Sequence, residues 1–165
     1  MIGCVRPKNA RDQASGRRGA TVVELITLVV LLAILVAIAI PNMSPVVLNY
    51  RLRGAAWQLA GDIRLARQRA VTLRKRFRVC VSSCAITVPT GAYSVERKDG
   101  STWTSETGTT TKLPQDVTIS ATATTTFSIN GGASGSTFTL TNVMGTYQVV
   151  VGSTGEVKVC QGSCS

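Results

Sequence analysis

From Ala20 to Ile40 the chain runs for 21 residues with a single charge, Glu24. A helix needs about 20 residues to cross roughly 30 Å of hydrocarbon, so the run predicts a membrane-spanning helix. Pro41 and Pro45 come directly after it. A proline inside a helix removes a backbone hydrogen bond and clashes with the preceding turn, which predicts a kink or an unwound turn there. Beyond the prolines, Leu52, Ala56, Leu59, Ile63, Ala66, Ala70, Leu73 and Phe77 are spaced alternately by four and three. At about 100° per residue they share an arc of about 100°, so one face of a second helical stretch is expected to be buried. On the same wheel Arg53, Arg64, Arg67, Arg74, Lys75 and Arg78 take one flank, and Arg51, Arg69 and Arg76 the other.

At Phe77 the period falls to two. Alternation at 77–81, 93–96, 117–119, 127–129, 138–140, 147–149 and 157–159 predicts strands. Asp99-Gly100, Asn130-Gly131-Gly132, Met144-Gly145 and Gly152-Ser153-Thr154-Gly155 supply the turns between them. Residues 106–126 are rich in threonine and poor in apolar side chains, and part of this stretch reads as a long surface loop or an edge. The fold class expected is α+β: a long N-terminal helix, transmembrane in its first half and amphipathic in its second, packed on an antiparallel sheet domain.

Charge changes the picture locally. The net charge is +10, yet no basic residue lies between 20 and 50, while nine basic residues and one acid fall between 51 and 78. Arg6, Lys8, Arg11, Arg17 and Arg18 precede the apolar run, and only Arg51 and Arg53 lie within about 20 residues after it, which places the N-terminus in the cytoplasm. The chain beyond the run then faces an oxidising compartment, where Cys80, Cys84, Cys160 and Cys164 can form disulfides while Cys4 stays apart. Four cysteines allow three pairings, and the sequence does not choose among them. The two C-x3-C spacings also admit zinc, but the chain has no histidine and the compartment is oxidising, so disulfides are preferred. The lack of histidine also removes Ser-His-Asp and Cys-His catalysis.

An ionised carboxylate within a membrane span costs about 2.5 to 3.5 kcal/mol on insertion scales, so Glu24 demands a compensating partner. Three bland readings exist. Arg17-Arg18 invites a twin-arginine signal but lacks an apolar start directly after the pair. Residues 25–36 with Ala37-Ile38-Ala39 would suit a secretory signal, yet the apolar run continues to Ile40 past that cleavage point. A plain single-span anchor would simply tolerate the acid.

Basic residues, Gly19, Glu24 five positions beyond it, about sixteen apolar positions and then Pro41 resemble the leader of type IV pilins and type II secretion pseudopilins. The resemblance implies cleavage after Gly19 on the cytoplasmic side by a prepilin peptidase. Ala20 becomes the new N-terminus and carries an N-methyl group, although Phe is usual there. It also implies that Glu24 pairs with the Ala20 ammonium of a neighbouring subunit in a filament, so that two charges are buried together. The domains implied are a leader at 1–19, a membrane and assembly helix at 20–48, and a periplasmic α+β domain of pilin type at 49–165.

Arg51-x-Arg53-x-Ala55-Ala56-x-x-Leu59, then Ala66-Arg67-x-x-Ala70, and the tail from Phe138 through Tyr147-x-Val149-x-Val151 to Gly155-x-Val157 resemble the GspH/FimT group of this superfamily. Its members are minor subunits at or near the filament tip, which implies partners among other pilins or pseudopilins and, before assembly, inner-membrane lipid. The function implied is structural: filament initiation or tip assembly for a type IV pilus or the secretion pseudopilus. Some FimT-like members bind DNA through a C-terminal Gly-Arg-x-Arg. The corresponding stretch here is Gly155-Glu156-Val157-Lys158, so DNA binding is the second reading and would rest on Arg64, Arg67, Arg74, Lys75 and Lys158. Asp62, Glu96, Asp99, Glu106, Asp116 and Glu156 show no spacing of an acid/base pair and are assigned ordinary surface roles. Neither an enzymatic activity nor a cofactor is expected.

Overall fold

The computed structural model describes residues 21–39, 44–106, 108 and 110–164. The chain divides after Pro41 into two compact units. In the first, α1 covers Val22–Ala39. Every valine, leucine and isoleucine from Val22 to Val36 is more than half exposed, so α1 shows no buried side over those residues. At 18 residues it rises about 27 Å. Among the described residues no helix is long and apolar enough to cross a membrane. Gly19, Ala20 and Pro41, with the expected cleavage site and kink, lie outside the described residues.

In the second unit α2 covers Ser44–Leu73. Pro45 stands in its first turn, where a missing N–H costs nothing. Arg74, at φ 51°, ends the helix in the left-handed conformation. Among the described residues nine strands come after it: β1 (Phe77–Cys80), β2 (Ala92–Asp99), β3 (Thr102–Ser105), β4 (Thr111–Lys112), β5 (Thr118–Ala121), β6 (Thr125–Phe127), β7 (Ser136–Asn142), β8 (Gly145–Val151) and β9 (Val157–Gln161). They form two antiparallel sheets. One has the order β3-β2-β1-β6, with β4 sharing the β3 edge of β2, and the other has the order β5-β7-β8-β9. Register is set by pairs such as Val79 opposite Val95 and Phe138 opposite Val149.

The core lies where α2 covers both sheets. Leu52, Ala55, Ala56, Leu59, Ala60, Ile63, Ala66 and Ala70 are buried along the helix, and the many alanines among them let the backbone approach the strands closely. Phe77, Val79, Tyr93 and Phe127 meet them from the first sheet, and Phe138, Leu140, Val149 and Val151 from the second. The helix face expected from the spacing is therefore the buried face, with two corrections. Leu73 is 48% exposed because the chain turns away at Arg74. Phe77 is buried as the first residue of β1 rather than on the helix, and Lys75, Arg76 and Arg78 are likewise beyond the helix. Residues 106–126 hold β4 and β5 and bury Leu113 and Val117. The strand at Phe127 ends there, with Ile129 exposed in the turn beyond it.

Candidate functional site

At the start of α1 the Glu24 amide donates to Thr21 Oγ1 at 3.3 Å, and the Leu25 amide donates to the Thr21 carbonyl at 3.1 Å. Thr21 is thus the N-cap, and Thr21-x-x-Glu24 is the capping-box spacing. The carboxylate also stands at the positive end of the helix dipole, which favours an anion in the first turn. Within the subunit Glu24 therefore has a local reason to be where it is. The signal that sequence reasoning missed is a threonine three residues before the acid, at the head of an apolar run.

On α2 the face away from the sheets carries Tyr50, Gly54, Trp57 and Gly61, at helical spacings of three and four. Tyr50 is 78% and Trp57 50% exposed. A Cβ built on Gly54 or Gly61 would meet nothing within 4 Å, so neither glycine is required by the packing of the unit. Glycine inside a helix costs about 0.8 to 1.0 kcal/mol relative to alanine. Gly54→Ala and Gly61→Ala are each expected to stabilise the isolated subunit by about that amount in urea unfolding, whatever they do to association.

The basic residues named for DNA are largely engaged within the fold. Arg67 donates from Nε to the Gly131 carbonyl at 2.9 Å and from Nη2 to the Thr154 carbonyl at 3.2 Å. Arg64 donates to the Val157 carbonyl at 3.2 Å. Within the stretch Gly155-Glu156-Val157-Lys158, Arg64 thus ties Val157 to α2, and Arg67 holds Thr154 just before it. Gly155, at φ +79°, is buried against Arg67 and the Gly131 carbonyl, and a side chain there would collide with both. Lys75 pairs with Asp99 at 2.6 Å, and exposed Lys158 lies 3.7 Å from Glu156. Arg74 is exposed and has no partner among the described residues.

Between α2 and the first sheet runs an ionic chain. Arg69 reaches Glu106 at 3.5 Å, Glu106 reaches Arg97 at 3.7 Å, and Arg97 reaches Asp99 at 2.7 Å. Hydrogen bonds from Arg97 and then Lys75 hold the Asp99 carboxyl below its usual range. Deeper in the same interface the Tyr93 hydroxyl donates to Asp62 on α2. Burial, reinforced by that bond, pushes the Tyr93 phenol well up. The folded state therefore retains a proton that the unfolded chain releases above about pH 10. Stability is expected to be intact below that pH and to fall as pH rises beyond it, and alkaline titration of Tyr93→Phe should show a flatter loss.

The cysteines pair as neighbours, Cys80 with Cys84 and Cys160 with Cys164. The second bridge holds the chain end beside β8, where the Cys164 amide donates to Gln148 Oε1 at 3.0 Å. Donor atoms of Cys80, Cys84 and Glu96 lie within 4.8 Å of one another, but the sulfurs are bonded to each other. The carboxylate is taken by Arg78 Nε at 2.6 Å and the Ala85 amide at 2.6 Å. Glu96 is completely buried, which corrects its assignment to a surface role. The Arg78 guanidinium lies 4.4 Å from the Trp103 ring centre, so the counter-ion is held on its other side by an aromatic face. These groups lock the Cys80–Cys84 loop to the sheet.

A family model, type II transport protein GspH, matches residues 55–155, from the buried stripe of α2 through both sheets. The chain belongs to the GspH family. Within solved structures this GspH-family fold is similar to the minor pseudopilin EpsH from the type 2 secretion system of Vibrio cholerae, with a TM-score of 0.56 and 12% identity over 67% of this chain and 97% of that one. It is also similar to the type IV minor pilin FimU of Pseudomonas aeruginosa, with a TM-score of 0.53 and 15% identity over 67% of this chain and 89% of that one. At such identities the likeness establishes the fold: helix on antiparallel sheet, in agreement with the pilin-like expectation. A comparison with curated proteins gives no match.

Proposed function

We propose that this GspH-family chain is a minor pilin or pseudopilin, a structural subunit that helps initiate or cap a periplasmic filament for protein secretion or pilus assembly. The observation that carries the proposal is α1: an apolar helix exposed on all sides whose only charge is an acid in its first turn. Such a surface is stable only when lipid or other apolar helices surround it. In this proposal the precursor sits in the inner membrane with its N-terminus in the cytoplasm. Prepilin peptidase cuts after Gly19, and the exposed amine of Ala20 is methylated. On leaving lipid for the filament, α1 packs among the helices of other subunits, and Glu24 pairs with a neighbour's N-terminal ammonium. The α2 face with Tyr50, Gly54, Trp57 and Gly61 gives a second place where a neighbouring helix can approach.

The test is the mature N-terminus. Protein recovered from membranes should begin at Ala20, with a methyl group on its amine, whereas a start near Ile40 would support conventional secretion instead. Glu24→Gln should be processed normally and retained in the membrane but lost from sheared filaments. Equal incorporation of that variant would remove the pairing. Of the residues named for DNA binding, Arg64, Arg67, Lys75 and Lys158 have partners within the fold, and Arg74 has none among the described residues.

A further inference from the structure

The β7–β8 turn carries two aliphatic side chains on a short polar hairpin tip. Val143 is 84% exposed, and Met144 beside it is 46% exposed. Neither contributes to the core. The turn is held firmly: Asn142 accepts at Oδ1 from the Met144 amide at 2.8 Å and donates from Nδ2 to the Leu48 carbonyl at 2.9 Å. That second bond ties the hairpin tip to the start of α2. Val46, Val47 and Tyr50 are exposed at the same level of the helix, so this end of the unit gathers five exposed apolar or aromatic side chains. At about 100° per residue Val46, Val47 and Leu48 point to three different sides of α2, and the hairpin adds its tip beyond Leu48. A helix or a strand from another protein would cover one side. A planar apolar medium covers an end from all sides.

The chain's own order places such a medium near. Residues 40–43 are all that separate Ala39, the last residue of apolar α1, from Ser44, the first of α2. Five peptide steps reach no further than about 18 Å. The composition of this end suits the boundary of a bilayer: aliphatic tips and a tyrosine with an exposed ring, while Arg51 just beyond is paired with Asp116 at 3.3 Å. We propose that the hairpin tip Val143–Met144, with the first two turns of α2, dips into the interfacial layer of the phospholipid bilayer before assembly and sets the attitude of the periplasmic unit on the membrane. The inference rests on the reading of α1 as the membrane anchor, and goes beyond it by giving the folded unit its own lipid contact.

The test uses the full chain reconstituted in phospholipid vesicles, in a Cys4→Ser background in which the four remaining cysteines are bridged. Val143→Cys is labelled with an environment-sensitive fluorophore, and Thr154→Cys, in the turn at the far end of β8, is the comparison. The label at 143 should emit to the blue of the label at 154 and lose intensity when nitroxide lipids are added at headgroup depth, with no such loss at 154. Alkaline carbonate separates the outcomes. A chain that washes off the vesicles overturns both the anchor and the contact. An anchored chain whose label at 143 is as wet and unquenched as that at 154 overturns the contact alone. So does a blue shift at 143 that ignores nitroxide lipid and grows with protein density, which would assign the tip to another subunit.

Discussion

Ile63→Asp is expected to abolish the cooperative unfolding transition of the second unit. Ile63 is fully buried in the middle of the α2 stripe, between Leu59 and Ala66, where the helix covers both sheets. Truncating a buried isoleucine to alanine removes about 2 to 5 kcal/mol. An aspartate adds the cost of a carboxylate in apolar surroundings with no basic residue on that face to receive it. Together these approach the whole stability of an ordinary domain, about 5 to 15 kcal/mol. Far-ultraviolet dichroism of the detergent-solubilised chain should therefore show α1 helicity without the strand signal, and no sharp thermal transition. Ile63→Val, which keeps shape and polarity, should cost only about 0.5 to 1.5 kcal/mol. An Ile63→Asp protein that melts like its parent would mean that the α2 stripe is not the core.

That stripe is legible because burial on one helix face leaves a period in the sequence, and six of its eight positions are buried helical residues in the structure. The exceptions fall where the period cannot report a chain reversal: Leu73 and Phe77 flank Arg74, whose left-handed conformation is not written in residue type. The strands with apolar alternation are legible for the same reason. β3, Thr-Trp-Thr-Ser, and β4, only Thr111–Lys112, lie at the β3/β4 edge of the first sheet and need little apolar surface, so they carry no period to detect. The division into two sheets is not legible either, since strand order depends on contacts far apart in sequence. Of the candidate site, the acid at position 24 announces itself by its cost, while the Thr21 cap beside it carries no charge to draw the eye. The arginines of α2 make a charged flank on a helical wheel, but whether a guanidinium faces solvent or a carbonyl is decided by loops such as those at Gly131 and Thr154, more than 60 residues away. Disulfide pairing resolves only in three dimensions, because the Cys80–Cys84 and Cys160–Cys164 loops each close beside a strand end.

Arg78→Ala is expected to destabilise the second unit by about 3 to 5 kcal/mol, the usual cost of leaving one member of a buried ion pair without the other. The geometry argues for the upper part of a surface-to-core scale. Glu96 has no exposure and the Arg78 side chain only 16%, and the opposed residues of β1 and β2 place the two side chains on the same face of the sheet. Without the guanidinium, the carboxylate keeps one backbone donor, the Ala85 amide, and no counter-charge within the lock. Its remaining options are protonation or exposure, and exposure requires the Cys80–Cys84 loop to lift from the sheet. Urea unfolding followed by the two tryptophans, one of which stacks on Arg78, reads both the loss and its location. The double variant Arg78→Met, Glu96→Gln removes both charges at nearly constant volume and should recover much of the loss, giving the non-additivity of about 0.5 to 3 kcal/mol typical of residues in contact. A single Arg78→Ala variant within about 0.5 kcal/mol of the parent would be the behaviour of a surface residue, and the lock between the disulfide loop and the sheet would have to be abandoned.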